Sequence, residues 1–88
     1  MDGAIRNRIA EKLAAAYAPA RLEVIDESER HRGHAGWREG GETHFRIRIG
    51  AAAFAGKSRL ERHRMVNATL AEELAGRVHA LAIEADAE

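Results

Sequence analysis

The stretch THFRIRI, residues 43–49, decides the fold because its apolar and polar side chains alternate without interruption. Its apolar members are Phe45, Ile47 and Ile49, and the residues between them are His44, Arg46 and Arg48. Successive side chains of a strand point to opposite faces, so this pattern indicates a strand with one buried and one polar face. We expect His44 on the polar face, as a surface residue beside Arg46.

The residues before this strand predict one helix and one further strand. Apolar residues recur at every fourth position from Ile5 to Tyr17, which is typical of one face of a helix. The helix is expected from Asp2 to Ala18, with Asp2 as its N-cap, because Pro19 cannot continue it. The stretch RLEVIDE, residues 21–27, predicts a short strand with β-branched residues at its centre.

The residues after the central strand predict a turn, a helical segment and a last strand. Phe54 anchors the turn, and the helical segment runs from Ser58 to about Leu74, with Ser58 and Glu61 at capping-box spacing. Its apolar face is expected to contain Leu60, Val66, Leu70 and Leu74. A break near 62–64 would divide the segment into two helices. The stretch RVHALAIEA, residues 77–85, predicts the final strand.

The order of these elements predicts an α+β fold for residues 1–88 as a single domain. It reads helix, strand, strand, helix or two helices, strand. Three strands cannot close a barrel, so the helices should cover one face of the sheet and leave the other face exposed. The last strand should pair with the first or second strand after a long helical crossover.

Composition narrows the classes of function. Fourteen basic residues balance fourteen acidic ones, whereas a dedicated nucleic-acid-binding protein usually carries an excess of positive charge. No apolar run approaches the roughly 18 residues that a membrane-spanning helix needs, so no membrane association is expected. The chain contains no cysteine and five histidines. This composition fits a reducing cytoplasm and points toward metal or proton chemistry carried by imidazole.

A long irregular segment, residues 27–43, separates the first two strands. It contains GHAG, residues 33–36, which places His34 between two glycines. Loops longer than about 12 residues are usually functional or mobile, so this loop is a candidate site. A side chain exposed to solvent in the loop is the simpler interpretation of His34 on the residues alone.

Several stretches together resemble the BolA family along nearly the whole chain. They are LEVIDES, GHAG, GETHFRIRI, FAGKSRLERHRMVN and VHALAI, of which the fourth, residues 54–67, is the most diagnostic. The resemblance implies a type II KH-like α/β sandwich, in agreement with the element order. It also implies a protein that binds a monothiol glutaredoxin and shares a [2Fe–2S] cluster with it, in iron–sulfur cluster maturation or trafficking, or in iron homeostasis.

The same resemblance identifies candidate metal ligands. The family's C-terminal histidine corresponds to His79, and the loop ligand of its histidine-containing members corresponds to His34. His31 is the alternative loop ligand, because loop length varies in the family. Two imidazoles can hold one iron of a [2Fe–2S] cluster, while the thiolates for the other iron must come from the glutaredoxin and from glutathione. Only neutral imidazole binds a metal, so cluster binding should weaken at acidic pH.

A basic cluster at the start of the long helix carries the alternative function. Its members are Lys57, Arg59, Arg62 and Arg64, with Arg46 and Arg48 on the neighbouring strand. Bacterial members of the family have been described as DNA-binding regulators of stress response, cell morphology and biofilm formation. The turn reads G-K-S-R where KH domains have a GXXG loop, so the second glycine is missing and RNA binding of the KH kind is in doubt. Together with the neutral net charge, this predicts weak, salt-sensitive DNA binding at best, and a surface that docks an acidic protein partner is equally compatible.

Two further expectations complete the sequence-based account. No nucleophile–base pair and no paired carboxylates occur in a recognisable setting, so no enzymatic activity is expected. A homodimer that binds heme or zinc through the same histidines is a third alternative, for the chain in the absence of a partner.

Overall fold

The structure is a computed structural model that describes residues 3–31 and 41–88. Its main elements follow the predicted order: α1 (Ala4–Tyr17), β1 (Arg21–Asp26), β2 (His44–Gly50), α2 (Arg59–Thr69), α3 (Ala71–Ala75) and β3 (Ala80–Asp86). Short 3₁₀ turns at Ser28–His31 and Ala52–Phe54 follow β1 and β2. The α+β fold class is confirmed.

The three strands form one sheet in the order β1-β2-β3. β1 pairs with β2 antiparallel, and β3 pairs with β2 in parallel, so the last strand has joined the second one. A parallel pair needs a crossover, which α2 and α3 supply. Because β2 and β3 are parallel, His44 and Ala80 lie side by side at one end of the sheet, and Gly50 and Asp86 lie at the other.

The core lies between the sheet and the helices. Phe45, Ile47 and Ile49 are buried as the alternation predicted, and Arg46 and Arg48 remain partly exposed on the opposite face. The helices and turns contribute Ile9, Leu13, Phe54, Val66 and Leu70 to the same core. Burying each large apolar side chain stabilises the fold by about 1.5–3 kcal/mol. The prediction that Phe54 anchors its turn is confirmed, since Phe54 is fully buried and its ring centroid lies 5.0 Å from that of Tyr17.

Two predictions about the long helical segment are wrong. The break falls at Leu70 and not near residues 62–64. Directly before Leu70, the Thr69 hydroxyl donates to the Met65 carbonyl, a contact that often bends helices. Leu60 is 58 % exposed. Six residues separate Leu60 from Val66, which is a rotation of about 240° around the helix axis, so the two side chains do not share a face.

Glutamate carboxylates cap the starts of α1 and α2. The predicted capping box is confirmed, because the Ser58 hydroxyl accepts from the Glu61 amide at 3.1 Å and the Glu61 carboxylate accepts from the Ser58 amide at 2.8 Å. The N-cap of α1 is Gly3, and the predicted cap, Asp2, lies outside the described residues. Glu42 caps α1 from a distance, since its carboxylate accepts from the amides of Ile5 at 2.9 Å and Arg6 at 3.0 Å. Local sequence did not predict this contact.

A buried carboxylate joins α3 to α1. Glu73 is 2 % exposed, and its carboxylate lies 2.9 Å from Arg8 Nε and 2.8 Å from Lys12 Nζ. Burial alone would raise the pKa of Glu73, but hydrogen bonds from Lys12, its own backbone and Arg8 hold that pKa below its ordinary value. The Glu73 carbonyl also accepts from the Val78 amide at 3.1 Å, which connects α3 to the approach to β3.

Within the described residues, no helix has both the length and the apolar character that a bilayer span requires.

Candidate functional site

His79 lies directly before β3, at the end of the sheet where β2 and β3 begin. His79 is an exposed residue, whereas the residue before it, Val78, is only 2 % exposed. The His79 amide donates to the Thr43 carbonyl at 2.7 Å. The main chain of His79 is therefore held on both sides while its imidazole stays accessible to a partner.

His44 is not the surface residue that the alternation predicted. It is 4 % exposed, although it belongs to the same strand face as Arg46. The reason is the Ser28–His31 turn, which packs on the start of β2. The Ser28 hydroxyl accepts from the amides of Thr43 at 2.9 Å and His44 at 3.2 Å. Alternation assigns a side chain to a face but does not show what covers that face.

The structure brings His44 and His79 together. Their ring centroids are 5.3 Å apart and the rings are inclined by 50°. His44 Nδ1 lies 2.8 Å from the Thr43 hydroxyl, which fixes the ring on its other side. Sequence reasoning missed this pair, yet the register of a parallel β2–β3 pair would have found it, because His44 is level with Ala80.

Asp26 connects the two ends of the segment that carries the predicted loop ligands. Its carboxylate accepts from the Ser28 amide at 2.9 Å, from the Ser28 hydroxyl at 2.5 Å and from the Glu42 amide at 3.0 Å. Glu42 and Gly41 both have positive φ, 59° and 73°, a conformation that suits glycine and strains glutamate. The chain therefore re-enters the sheet through a fixed turn next to the imidazole pair.

The predicted loop ligands are placed only in part. His34 lies outside the described residues, and of His31 only the main chain is described, at the end of the Ser28–His31 turn. Both remain predictions. Among the described residues, no group of three or more histidine or carboxylate side chains could hold a metal ion. A metal bound at His79 would therefore need donors from the loop or from a partner.

The arginines of β2 are already paired with carboxylates. Arg46 lies 2.9 Å from both Glu27 and Glu84, and Arg48 lies 3.5 Å from Glu84. The hydrogen bonds that Arg46 donates to Glu27 and then to Glu84 raise the pKa of Arg46. These contacts leave the polar sheet face with alternating, largely balanced charge. Contact of Arg46 and Arg48 with nucleic acid remains a prediction that this pairing does not favour.

Arg62 differs from the other cations of the basic cluster. Its Nε donates to the Phe54 carbonyl at 3.1 Å and its Nη1 to the Ala85 carbonyl at 2.9 Å, so it ties the turn to β3. Lys57, Arg59 and Arg64 are exposed, and no salt bridge joins them to other side chains in the described part of the chain. The predicted cluster therefore contains three available cations and one that supports the fold.

A cleft of about 390 Å³ lies beside this cluster, between the start of α2 and β3. Its lining combines basic and acidic side chains, namely Lys57, Arg59, Arg62, His63, Glu84 and Asp86. Gly56, with φ of 74°, makes the turn directly before Lys57. The mixed lining lowers the positive potential that a phosphate backbone would encounter there.

Comparisons with known proteins agree with this arrangement. The family model described as "BolA-like protein" matches residues 13–88. "DNA-binding transcriptional regulator BolA" of Escherichia coli is 52 % identical over 79 residues, which cover 90 % of this chain and 71 % of that protein. Human "BolA-like protein 1" is 49 % identical over 83 residues, and the match covers 94 % of this chain and 58 % of the human protein.

Solved structures show the same fold. The BolA domain of SufE1 from Arabidopsis thaliana has a TM-score of 0.89 and 44 % identity, with 99 % of this chain and 95 % of that chain covered. The solution structure of mouse BolA1 has a TM-score of 0.82 and 47 % identity, with 97 % of this chain and 66 % of that chain covered. The three-stranded α+β architecture is thus shared with these structures.

Proposed function

Because the chain belongs to the BolA-like protein family, we propose that it is a non-enzymatic adaptor that binds a monothiol glutaredoxin and shares a [2Fe–2S] cluster with it. Its role would lie in iron–sulfur cluster maturation or trafficking, or in iron homeostasis. The observation that carries this proposal is an accessible imidazole, His79, on a fixed main chain in a protein without cysteine. A cytoplasmic location, with reduced glutathione available, fits the proposal.

The donors of this chain fit one half of such a cluster. Histidine can replace cysteine on one iron of a [2Fe–2S] centre, and His79 with a loop histidine would supply those two nitrogens. His34 is the proposed loop ligand, and His31 is the alternative. Thiolates are absent from the chain, so the glutaredoxin's cysteine and a glutathione would supply the sulfur ligands. The bound cluster would contribute one-electron redox chemistry and a transferable iron–sulfur unit.

The residues around His79 prepare it for this role. The Thr43 carbonyl and the Glu73 carbonyl accept from the amides of His79 and Val78, so hydrogen bonds hold this main chain in place before any partner binds. Asp26 and Glu42 hold the C-terminal part of the loop segment close to the same end of the sheet. A prearranged ligand loses less conformational entropy when it binds, which favours complex formation.

Reconstitution of the heterodimer tests the proposal. The chain is mixed with a monothiol glutaredoxin, glutathione and iron–sulfide, and visible absorption and circular dichroism are recorded. Wild type should give a cluster spectrum, and His79→Ala should alter it and shorten the cluster lifetime. His34→Ala and His31→Ala identify the loop ligand, since only one of them should have the same effect.

His63→Ala is the matched control, because His63 lies on α2 beside the cleft at the opposite end of the sheet. It should leave both the spectrum and the lifetime unchanged. A cluster spectrum that is identical in wild type and His79→Ala would remove the ligand assignment.

A second candidate function is DNA binding by a transcriptional regulator. The E. coli relative carries that name at 52 % identity. In this chain the exposed Lys57, Arg59 and Arg64 are the side chains that would contact phosphate. Arg59→Glu should abolish DNA binding and spare the cluster, whereas His79→Ala should do the reverse. Arg62 is unsuited to this test, because its replacement disturbs the turn that it holds.

A further inference from the structure

His44 is a buried imidazole in contact with the accessible one. Only 4 % of His44 is exposed, and its ring centroid lies 5.3 Å from that of His79. A ring contact of this kind restricts the orientations open to an otherwise exposed side chain. The position of His44 therefore limits the orientations open to His79.

A series of hydrogen bonds through Asp26, Ser28 and Thr43 holds His44 in place. The Ser28 hydroxyl donates to Asp26 and accepts from the His44 amide, and the Thr43 hydroxyl lies 2.8 Å from His44 Nδ1. Thr43 also holds the partner ring's main chain, since its carbonyl accepts from the His79 amide at 2.7 Å. One residue thus sets the position of both histidines.

We propose that His44 is a positioning residue for the His79 ligand, acting through contact between the two rings. The inference rests on the proposed cluster function and names the residue that supports the ligand. His44 is nearly inaccessible and its Nδ1 faces the Thr43 hydroxyl, so the inference assigns its effect on His79 to the contact between the two rings. Residues that orient a metal ligand typically change metal affinity about 10- to 100-fold when replaced.

Two substitutions separate packing from ligation. His44→Phe keeps a ring of similar size and removes both nitrogens, whereas His44→Ala removes the ring. In the heterodimer with glutaredoxin, glutathione and iron–sulfide, His44→Phe should keep the cluster lifetime within about twofold of wild type. His44→Ala should shorten the lifetime about tenfold with the positions of the circular dichroism bands retained, since His79 still ligates.

A measurement on the isolated chain tests the inference without any cluster. Nuclear magnetic resonance of histidine-labelled protein gives the χ1 rotamer distribution of His79 and its nuclear Overhauser contacts with residue 44. Wild type and His44→Phe should show one dominant rotamer with ring-to-ring contacts, and His44→Ala should show averaged rotamers. Should wild type form no cluster with glutaredoxin, the proposed function fails, and this rotamer measurement shows separately whether His44 orients His79.

Three results would overturn the inference. The first is a His44→Ala chain with an unchanged His79 rotamer and cluster lifetime. The second is a His44→Phe variant that loses the cluster spectrum as His79→Ala does, which would make His44 itself a ligand. If far-ultraviolet circular dichroism shows that His44→Ala does not fold, His44→Val replaces it, because valine suits a strand and also removes the ring that contacts His79. An unchanged lifetime in that variant is the third result.

Discussion

The two ends of the central strand β2 use their polar side chains in different ways. At the amino end, Asp26, Ser28 and Thr43 bond inward and support His79, which remains accessible. At the carboxyl end, about 20 Å away for a strand of this length, Arg62 is taken up by two backbone carbonyls. At each end, the chemistry that is available depends on which polar groups already have partners within the fold. His79 stays accessible at one end, and Lys57, Arg59 and Arg64 stay exposed at the other.

The largest effect on stability is expected for Arg62→Ala, at the carboxyl end. It removes two charge-assisted hydrogen bonds to the carbonyls of Phe54 and Ala85, so the free energy of unfolding should fall by about 2–3 kcal/mol. Urea denaturation measures the change. At a temperature 10 °C below the variant's midpoint of thermal unfolding, cluster formation with glutaredoxin should be the same as in wild type. A variant that unfolds at the same urea concentration as wild type would contradict the structural role of Arg62.

The pH dependence of the stability of Glu73→Gln tests the ion pairs that join α3, the helix before His79, to α1. The pKa of Glu73 is lowered in the folded chain, so its ionisation adds stability above the ordinary carboxyl pKa of 4.5, and this contribution is lost as pH falls through the folded value. At neutral pH the variant should lose about 1–2 kcal/mol of unfolding free energy. Below pH 4.5 the difference from wild type should shrink progressively.

The control for this pH series is Glu72→Gln, which removes the exposed carboxylate that also contacts Lys12. Its unfolding free energy should differ little from that of wild type across the same range, because exposed ion pairs contribute little. If the stability difference between Glu73→Gln and wild type were independent of pH, Glu73 ionisation would not stabilise the α1–α3 contact.

Glu42→Ala should have a smaller effect at the histidine end. It removes the carboxylate that caps the amides of Ile5 and Arg6, which costs about 1 kcal/mol in unfolding free energy. Glu42→Gln keeps an acceptor oxygen and should recover part of the loss. Hydrogen exchange of the first turn of α1 provides the local readout, and unchanged protection in Glu42→Ala would show that the contact does not cap the helix.

Arg59→Glu should have the smallest effect on folding. Arg59 is exposed at the first position of α2, so its replacement should change the unfolding free energy by less than about 0.5 kcal/mol. Cluster formation should remain as in wild type. Titration with duplex DNA of mixed sequence at low salt measures the remaining effect, and a change in cluster lifetime would mean that the two ends are not independent.

Local pattern predicted most of the fold. The alternation in β2 and the apolar residue at every fourth position of α1 depend only on side-chain periodicity. The burial of the residues so predicted agrees with these patterns: Phe45, Ile47 and Ile49 in β2, and Ile9 and Leu13 in α1. The capping box at Ser58 is likewise a local signal. The family resemblance that these stretches carried is confirmed by the family match.

Contacts between distant segments were beyond the reach of those patterns. The burial of His44 depends on a turn from β1, and the cap on α1 comes from Glu42, so neither follows from neighbouring residues. Arg62 lies three residues after Arg59 in the same basic cluster, yet only the Arg62 side chain reaches the carbonyls of Phe54 and Ala85. The ligand role of His79 stays a prediction, and so does that of His34, which lies outside the described residues.

Pulsed electron paramagnetic resonance on the reduced heterodimer shows whether histidines of this chain are ligands of the cluster. The chain is labelled with ¹⁵N only at histidine and combined with unlabelled glutaredoxin, glutathione and iron–sulfide. If His79 and a loop histidine are ligands, strong hyperfine coupling to two labelled nitrogens is expected, and one of the two couplings disappears in His79→Ala. A cluster that shows no coupling to the labelled histidines of this chain would contradict this assignment.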